Sequence, residues 1–237
     1  MTRLFHVILI QPLVNLLVWF YNVIPGHDLG VAIIVLTVLV RLLLYPSFQK
    51  SLRSQKELQQ MQPRLDEIKE KHKDNKEAQT KAVLEFYKEN KINPFSSCLP
   101  LLIQLPILIA LYQVFLYGLN GKVAAELYSF VQNPGAIDPL FFNFVDLSKP
   151  NLIFGILAGA LQFIQSKMMM PKIKPKDQMA AAMNAQLVYF MPLITVLIAA
   201  KLPAALGLYW IVTTLFAIGQ QYYIMKTSND TRTAGNN

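Results

Sequence analysis

The stretch VAIIVLTVLVRLLLYP, residues 31–46, decides how the rest of the chain is read. It belongs to an apolar run from Leu29 to Phe48 whose one charge is Arg41. Roughly eighteen or more largely apolar residues carry a helix across a bilayer. Four further runs, Phe95–Tyr117, Pro150–Ser166, Gln178–Ala200 and Leu202–Met225, contain no charged residue. Of the 237 residues, 54% are hydrophobic and 15% charged, where a soluble domain carries about 25% charged residues. These runs are too many and too long for one soluble core. The sequence predicts an all-α polytopic membrane protein with five spans, at about 29–48, 95–117, 151–169, 183–200 and 203–225.

The net charge of +8 invites a nucleic-acid reading, but its distribution argues for topology. Of the 22 Lys and Arg residues, seventeen fall on one side of the spans: eleven in 49–94, four in 167–184 and two after Met225. Arg3, Lys122, Lys149 and Lys201 fall on the other, and Arg41 lies within a span. Positive charge collects on the cytoplasmic side, which predicts an outer N-terminus and a cytoplasmic C-terminus. The basic excess also suits anionic lipid, with ribosome contact as an addition and no role for DNA.

Residues 4–24 are apolar, with Gln11, Asn15 and Asn22 at helical spacing and no small-residue cleavage site after them. The stretch can be a signal peptide, a sixth span or a helix lying in the outer interface. The polar stripe, with Trp19 and Tyr21, favours the interfacial helix. A sixth span would reverse the N-terminus and leave the other spans as they are. Segment 49–93 differs in character. Leu58, Met61, Leu65 and Ile68 form one helical stripe, and Val83, Phe86 and Tyr87 another, with His72–Asn75 as a turn between them. This is the pattern of a cytoplasmic helical hairpin, with Pro63 expected to kink its first arm or restrict its start. Residues 118–150 form an outer segment, 170–182 a second cytoplasmic loop and 226–237 a short cytoplasmic tail.

No enzyme signature, metal cluster or phosphate-binding loop is evident, and no cofactor is implied. His6, His27 and His72 are scattered, and Cys98 is the single cysteine, so no disulfide forms within the chain. The residue that stands out is Arg41. A charge at mid-span costs about 2.5–3.5 kcal/mol on insertion scales. Tyr45-Pro46 suits the cytoplasmic interface, only ~6 Å from Arg41 along a helix, so the side chain can snorkel to it. Alternatively it faces a wet interior. Thr37 lies on its helical face, and Gln104, Gln113, Gln162, Gln165, Thr213, Thr214 and Gln220 supply polar groups in other spans. Such groups serve as packing glue between helices or, gathered round one arginine, line a groove.

Several segments, taken in order, resemble the YidC family of membrane protein insertases, which has relatives in mitochondria and chloroplasts. Gln11-Pro12-Leu13, Leu16-Leu17 and Trp19 match the family's interfacial helix. Thr37, Arg41, Tyr45 and Pro46 match its first core span. Gln62-Pro63 matches the hairpin arm. Asn93-Pro94, Cys98, Pro100, Ile103-Gln104 and Pro106 match the opening of the second span. Pro203, Gly207, Leu208-Tyr209-Trp210 and Gln220-Gln221 match the last. The resemblance runs from about residue 4 to 225. It implies five helices around a hydrophilic groove open to the cytoplasm and to lipid. It also implies insertion of newly made membrane proteins into a bacterial plasma membrane, alone or beside the Sec translocon. The implied groove residues are Arg41, Thr37, Gln104, Tyr209, Trp210 and Thr213, with one of Gln162 and Gln165. The implied partners are nascent membrane proteins and lipids, then the Sec translocon and the ribosome. The large periplasmic domain and the lipoprotein signal of some members have no counterpart here, and the tail lacks a long ribosome-binding extension. A small-anion transporter and an assembly chaperone for membrane complexes are the competing readings.

Overall fold

A computed structural model describes residues 3–90, 99–119, 123–170, 181–182 and 185–234, without the side chains of 99–102, 118–119 and 227–234. The Asn93-Pro94 turn, Cys98, Lys122 and the Pro171–Lys176 loop lie outside the described residues. The elements in chain order are α1 (Arg3–Val23), α2 (Leu29–Leu43), α3 (Tyr45–Lys71), α4 (Lys76–Glu89), α5 (Leu99–Leu119), a β-hairpin of β1 (Leu140–Phe141) and β2 (Val145–Asp146), α6 (Leu152–Met168), α7 (Gln186–Ala199) and α8 (Ala204–Ala234). Among the described residues the protein is helical, apart from that hairpin and irregular connections.

Prolines shape two of the helices. In α1 a π-turn over His6–Ile10 precedes Pro12, with the Gln11 amide donating to His6 O. In α7 a π-turn over Gln186–Phe190 precedes Pro192, with the Met191 amide donating to Gln186 O. A proline has no N–H and clashes with the carbonyl four residues earlier. The wider turn relieves that clash within a continuous helix. A third proline acts at a break. The helix expected over 29–48 ends at Leu43, and α3 begins at Tyr45 with Pro46 in its first turn. The two axes differ by 65°. Pro46 tolerates a helix start but disfavours continuation through it. Helix α3 then runs unbroken through Pro63 to Lys71.

The turn between α3 and α4 falls at His72–Asn75. Asn75 caps α4 by accepting from the Glu77 and Ala78 amides. Leu65 and Phe86 are the buried residues of the two stripes, and Gln79 Nε2 ties the arms by donating to Lys69 O at 2.7 Å. At its other end α3 lies along α8. Lys56 Nζ donates to Met225 O, and Tyr45 meets Phe216 edge-on. Helix α8 continues past Met225, where a separate tail was expected.

The core forms where α1, α2, α5 and the start of α8 meet. Leu13, Val14, Leu17, Val18 and Tyr21 of α1 repeat at the helical period and share one buried cluster with Ile33, Leu111 and Leu206. Where lipid surrounds such helices, close packing and hydrogen bonds hold them, since lipid is as apolar as leucine. Helix α6 meets that demand with Gly159, where an added Cβ would lie 2.3 Å from Val196 Cγ2 of α7. By length and composition, Arg3–Val23 is apolar and long enough to cross a membrane among the described residues, and α2 with α3 passes as one bent span.

The connection between α5 and α6 closes one end of the bundle. Asn15 of α1, nearly fully buried, donates to Gln11 O and Glu126 O and accepts from the Tyr128 amide. His6 Nε2 lies 2.7 Å from Glu126 Oε2. The orphan donors at the start of α8 are met from the same connection: the Ala204 amide donates to Lys149 O and the Ala205 amide to Leu147 O. Lys149 Nζ sits 2.8 Å from Asp146 Oδ2. Hydrogen bonds from Lys149 and Ser148 hold the Asp146 carboxyl below its usual range, and Asp146 in turn raises the Lys149 ammonium.

Candidate functional site

Helix α2 places Thr37 and Arg41 one turn apart on its buried face. The Thr37 hydroxyl donates to Ile33 O at 2.6 Å, so it is spent within its own helix. Arg41 reaches outward from α2 to three other helices. Its Nε donates to Thr213 Oγ1 of α8 at 3.0 Å, and an Nη donates to Gln104 Oε1 of α5 at 3.4 Å. Its guanidinium lies over the Phe48 ring of α3, 4.5 Å from the centroid. Gln104 completes the group by donating through Nε2 to the Tyr209 hydroxyl of α8. Arg41 is 8% exposed. The guanidinium is buried among α3, α5 and α8 and is held by neutral acceptors.

The electrostatics follow from that composition. Arg41 has five N–H donors and no acceptor, and two of its nitrogens meet neutral oxygens. Among the described residues no carboxylate forms an ion pair with it. A buried cation without a counter-ion is costly, and dipoles of hydroxyl and amide groups offset only part of that cost. The cluster therefore keeps a positive field for an anionic or strongly polar group. At an effective dielectric near 20, an opposite charge 4 Å away gains about 4 kcal/mol before desolvation, against about 1 kcal/mol in water.

Of the groove residues implied by the resemblance, the structure brings together Arg41, Gln104, Tyr209 and Thr213. Thr37 is one turn away on α2. Trp210 neighbours Tyr209 and is half-buried, and its carbonyl accepts from the Thr214 hydroxyl. Gln162 does not join the cluster. Its Oε1 accepts from the Thr195 hydroxyl, so it joins α6 to α7. Gln165 is half-buried further along α6. Phe48 is the member that sequence reasoning missed. Its spacing of seven from Arg41 gave no usable signal, because the two residues lie on separate helices whose axes differ by 65°. Gln220 marks the break between α2 and α3: its Nε2 donates to Tyr45 O at 3.2 Å.

The family model described as 60Kd inner membrane protein matches residues 19–231, which contain every member of the Arg41 cluster. Among similar proteins, one from Pelobacter propionicus, named membrane protein insertase YidC, is 33% identical over 236 residues, covering 94% of this chain and 39% of that protein. A protein of the same name from Magnetococcus marinus is 34% identical, covering 94% of this chain and 36% of its own length. Another, from Geobacter sp. strain M21, is 32% identical, covering 92% and 37%. The chain thus spans somewhat under two fifths of the length of the curated relatives it matches.

Proposed function

The chain belongs to the 60Kd inner membrane protein family, and from that membership we propose that it inserts newly made membrane proteins into the membrane and helps them fold. The observation that carries the proposal is Arg41, a buried cation held by Thr213 and Gln104 with no ion-pair partner among the described residues. Its substrates are nascent membrane proteins, and the Sec translocon and the ribosome are partners in delivery. It sits in the bacterial plasma membrane with five spans, N-terminus outside and C-terminus cytoplasmic. Segment 4–24 lies in the outer interface, and the α3–α4 hairpin is cytoplasmic.

In this mechanism the groove lowers the barrier for carrying a short polar tail across. Arg41 holds an acidic or polar tail transiently, and Gln104, Tyr209 and Thr213 give it hydrogen-bond partners where lipid gives none. The span itself is short where α6 crosses: its 17 residues rise ~25 Å, against a hydrocarbon core of about 30 Å. The apolar substrate helix leaves sideways into lipid, driven by roughly 25 cal/mol for each Å² of apolar surface removed from water. The chain itself carries no bond-breaking chemistry in this scheme.

A photo-crosslinking amino acid at Trp210, compared with one at the exposed Ile156 of α6, tests the groove. With a stalled nascent membrane protein, position 210 is expected to crosslink strongly and position 156 weakly. Crosslinks to assembled complexes, with none to the nascent chain at 210, would replace insertion with assembly chaperoning.

A further inference from the structure

The β-hairpin between α5 and α6 presents two phenylalanines that nothing in the insertion mechanism uses. Its tip is a two-residue turn in which the Phe144 amide donates to Phe141 O, and Phe142 and Asn143 have φ of 48° and 60°. Turns of this type favour Gly or Asn at both central positions, and a bulky side chain there is strained. Phe142 nevertheless stands there 62% exposed, and Phe144 is 90% exposed. Backbone strain held at an exposed aromatic points to a use for that side chain.

The hairpin is fixed in depth by α2. The Asp28 carboxylate caps α2 through Oδ1, accepting from the Val31 amide, and holds the hairpin tip through Oδ2, accepting from the Phe142 amide at 2.7 Å. Phe141 fills the space beside Gly30, where a Cβ would lie 2.0 Å from its ring. The tip is thereby locked to the first turn of α2. Beyond β2, α6 opens with Leu152 and Ile153, exposed by 60% and 66%. The hairpin is thus tied to the start of α2, and the helix that follows it opens with exposed apolar side chains.

Its chemistry selects a lipid surface. Residues 139–145 carry no charge. The flanking charges are closed on their own neighbours: Asp138 Oδ1 accepts from the Leu140 amide, and Asp146 pairs with Lys149. Aromatic side chains concentrate at the level of the headgroups, where an apolar ring meets a polar boundary. We propose that the 140–146 hairpin is a lipid-binding element that inserts Phe142 and Phe144 into the outer-leaflet interface and sets the depth of the bundle through Asp28. This rests on the reading of α2 and α6 as spans.

Spin labels test it in full-length protein in phospholipid vesicles. Cys98, the one cysteine, is first replaced by Ala. Labels are then placed singly at Phe144→Cys, at Ile156→Cys on the exposed face of α6, and at Asp74→Cys in the exposed hairpin turn. Accessibility is read with oxygen, which partitions into lipid, and with a water-soluble nickel chelate. The expected result is oxygen access well above nickel access at 144 and 156, and the reverse at 74. Nickel access at 144 with lipid access at 156 would overturn the hairpin proposal and leave the span reading standing. Nickel access at both would overturn both. A label at 144 that neither reagent reaches would mean that protein covers the tip, which also overturns the proposal.

Discussion

Arg41 is held by oxygens that carry no charge, and this predicts an asymmetry between removing the cation and removing its acceptors. Gln104→Leu combined with Thr213→Val leaves a buried guanidinium with unmet donors. Each unmet group costs about 1–3 kcal/mol, more for a charged one. Arg41→Met removes the charge and leaves only neutral groups short of a partner, which is far cheaper. In detergent melts the acceptor double variant should therefore melt below Arg41→Met, and adding Arg41→Met to it should restore much of the loss. A melt in which Arg41→Met is the least stable would mean that the charge serves packing. At this scale the sequence was informative about identity and weaker about partnership. Arg41 was visible as the one charge in a span. That Gln104 and Thr213 hold it, while Gln162 turns to Thr195, depends on how five helices are rotated, which no single helix's pattern specifies.

Helices and turns were legible to the extent that their signals are local. The α3–α4 turn at His72–Asn75 was readable because Asn75 is a capping residue between two amphipathic stripes. The π-turns of α1 and α7 were not, because an extra residue in a turn leaves the apolar pattern almost unchanged. The break at Leu44 had a signal in Pro46, but an apolar run reaching Phe48 outweighed it. Asn15 illustrates the same limit. It read as one polar residue of an interfacial stripe, whereas its amide makes three hydrogen bonds, two of which tie α1 to the α5–α6 connection. Asn15→Leu keeps the volume and leaves the half-buried Tyr128 amide and Glu126 carbonyl without that partner. A loss of about 1–3 kcal/mol is expected. Limited proteolysis should show faster cutting within 123–135 while Arg41-dependent insertion persists at permissive temperature. Unchanged cutting would show that other contacts hold the connection.

For the molecule as a whole, hydropathy and family resemblance led to the same class, and the family match over residues 19–231 supports it. Helix lengths would have given a poorer guide. Among the described residues one helix alone passes as a span by length and composition, because α6 is short and α8 carries Thr213, Thr214, Gln220 and Gln221, all buried. Of these, Thr213 joins the cluster around Arg41, while the Thr214 hydroxyl donates to Trp210 O and Gln220 donates to Tyr45 O.

The central claim is that a single buried cation assists the passage of polar tails. Its most direct test is insertion of a small acidic-tailed coat-type protein, followed by protease protection in cells depleted of their own insertase and supplied with this chain. Wild type should restore insertion, Arg41→Ala should show a clear loss at equal membrane abundance, and Arg41→Lys, which keeps the charge but not the planar fork, should recover part of it. Full insertion by Arg41→Ala would contradict it.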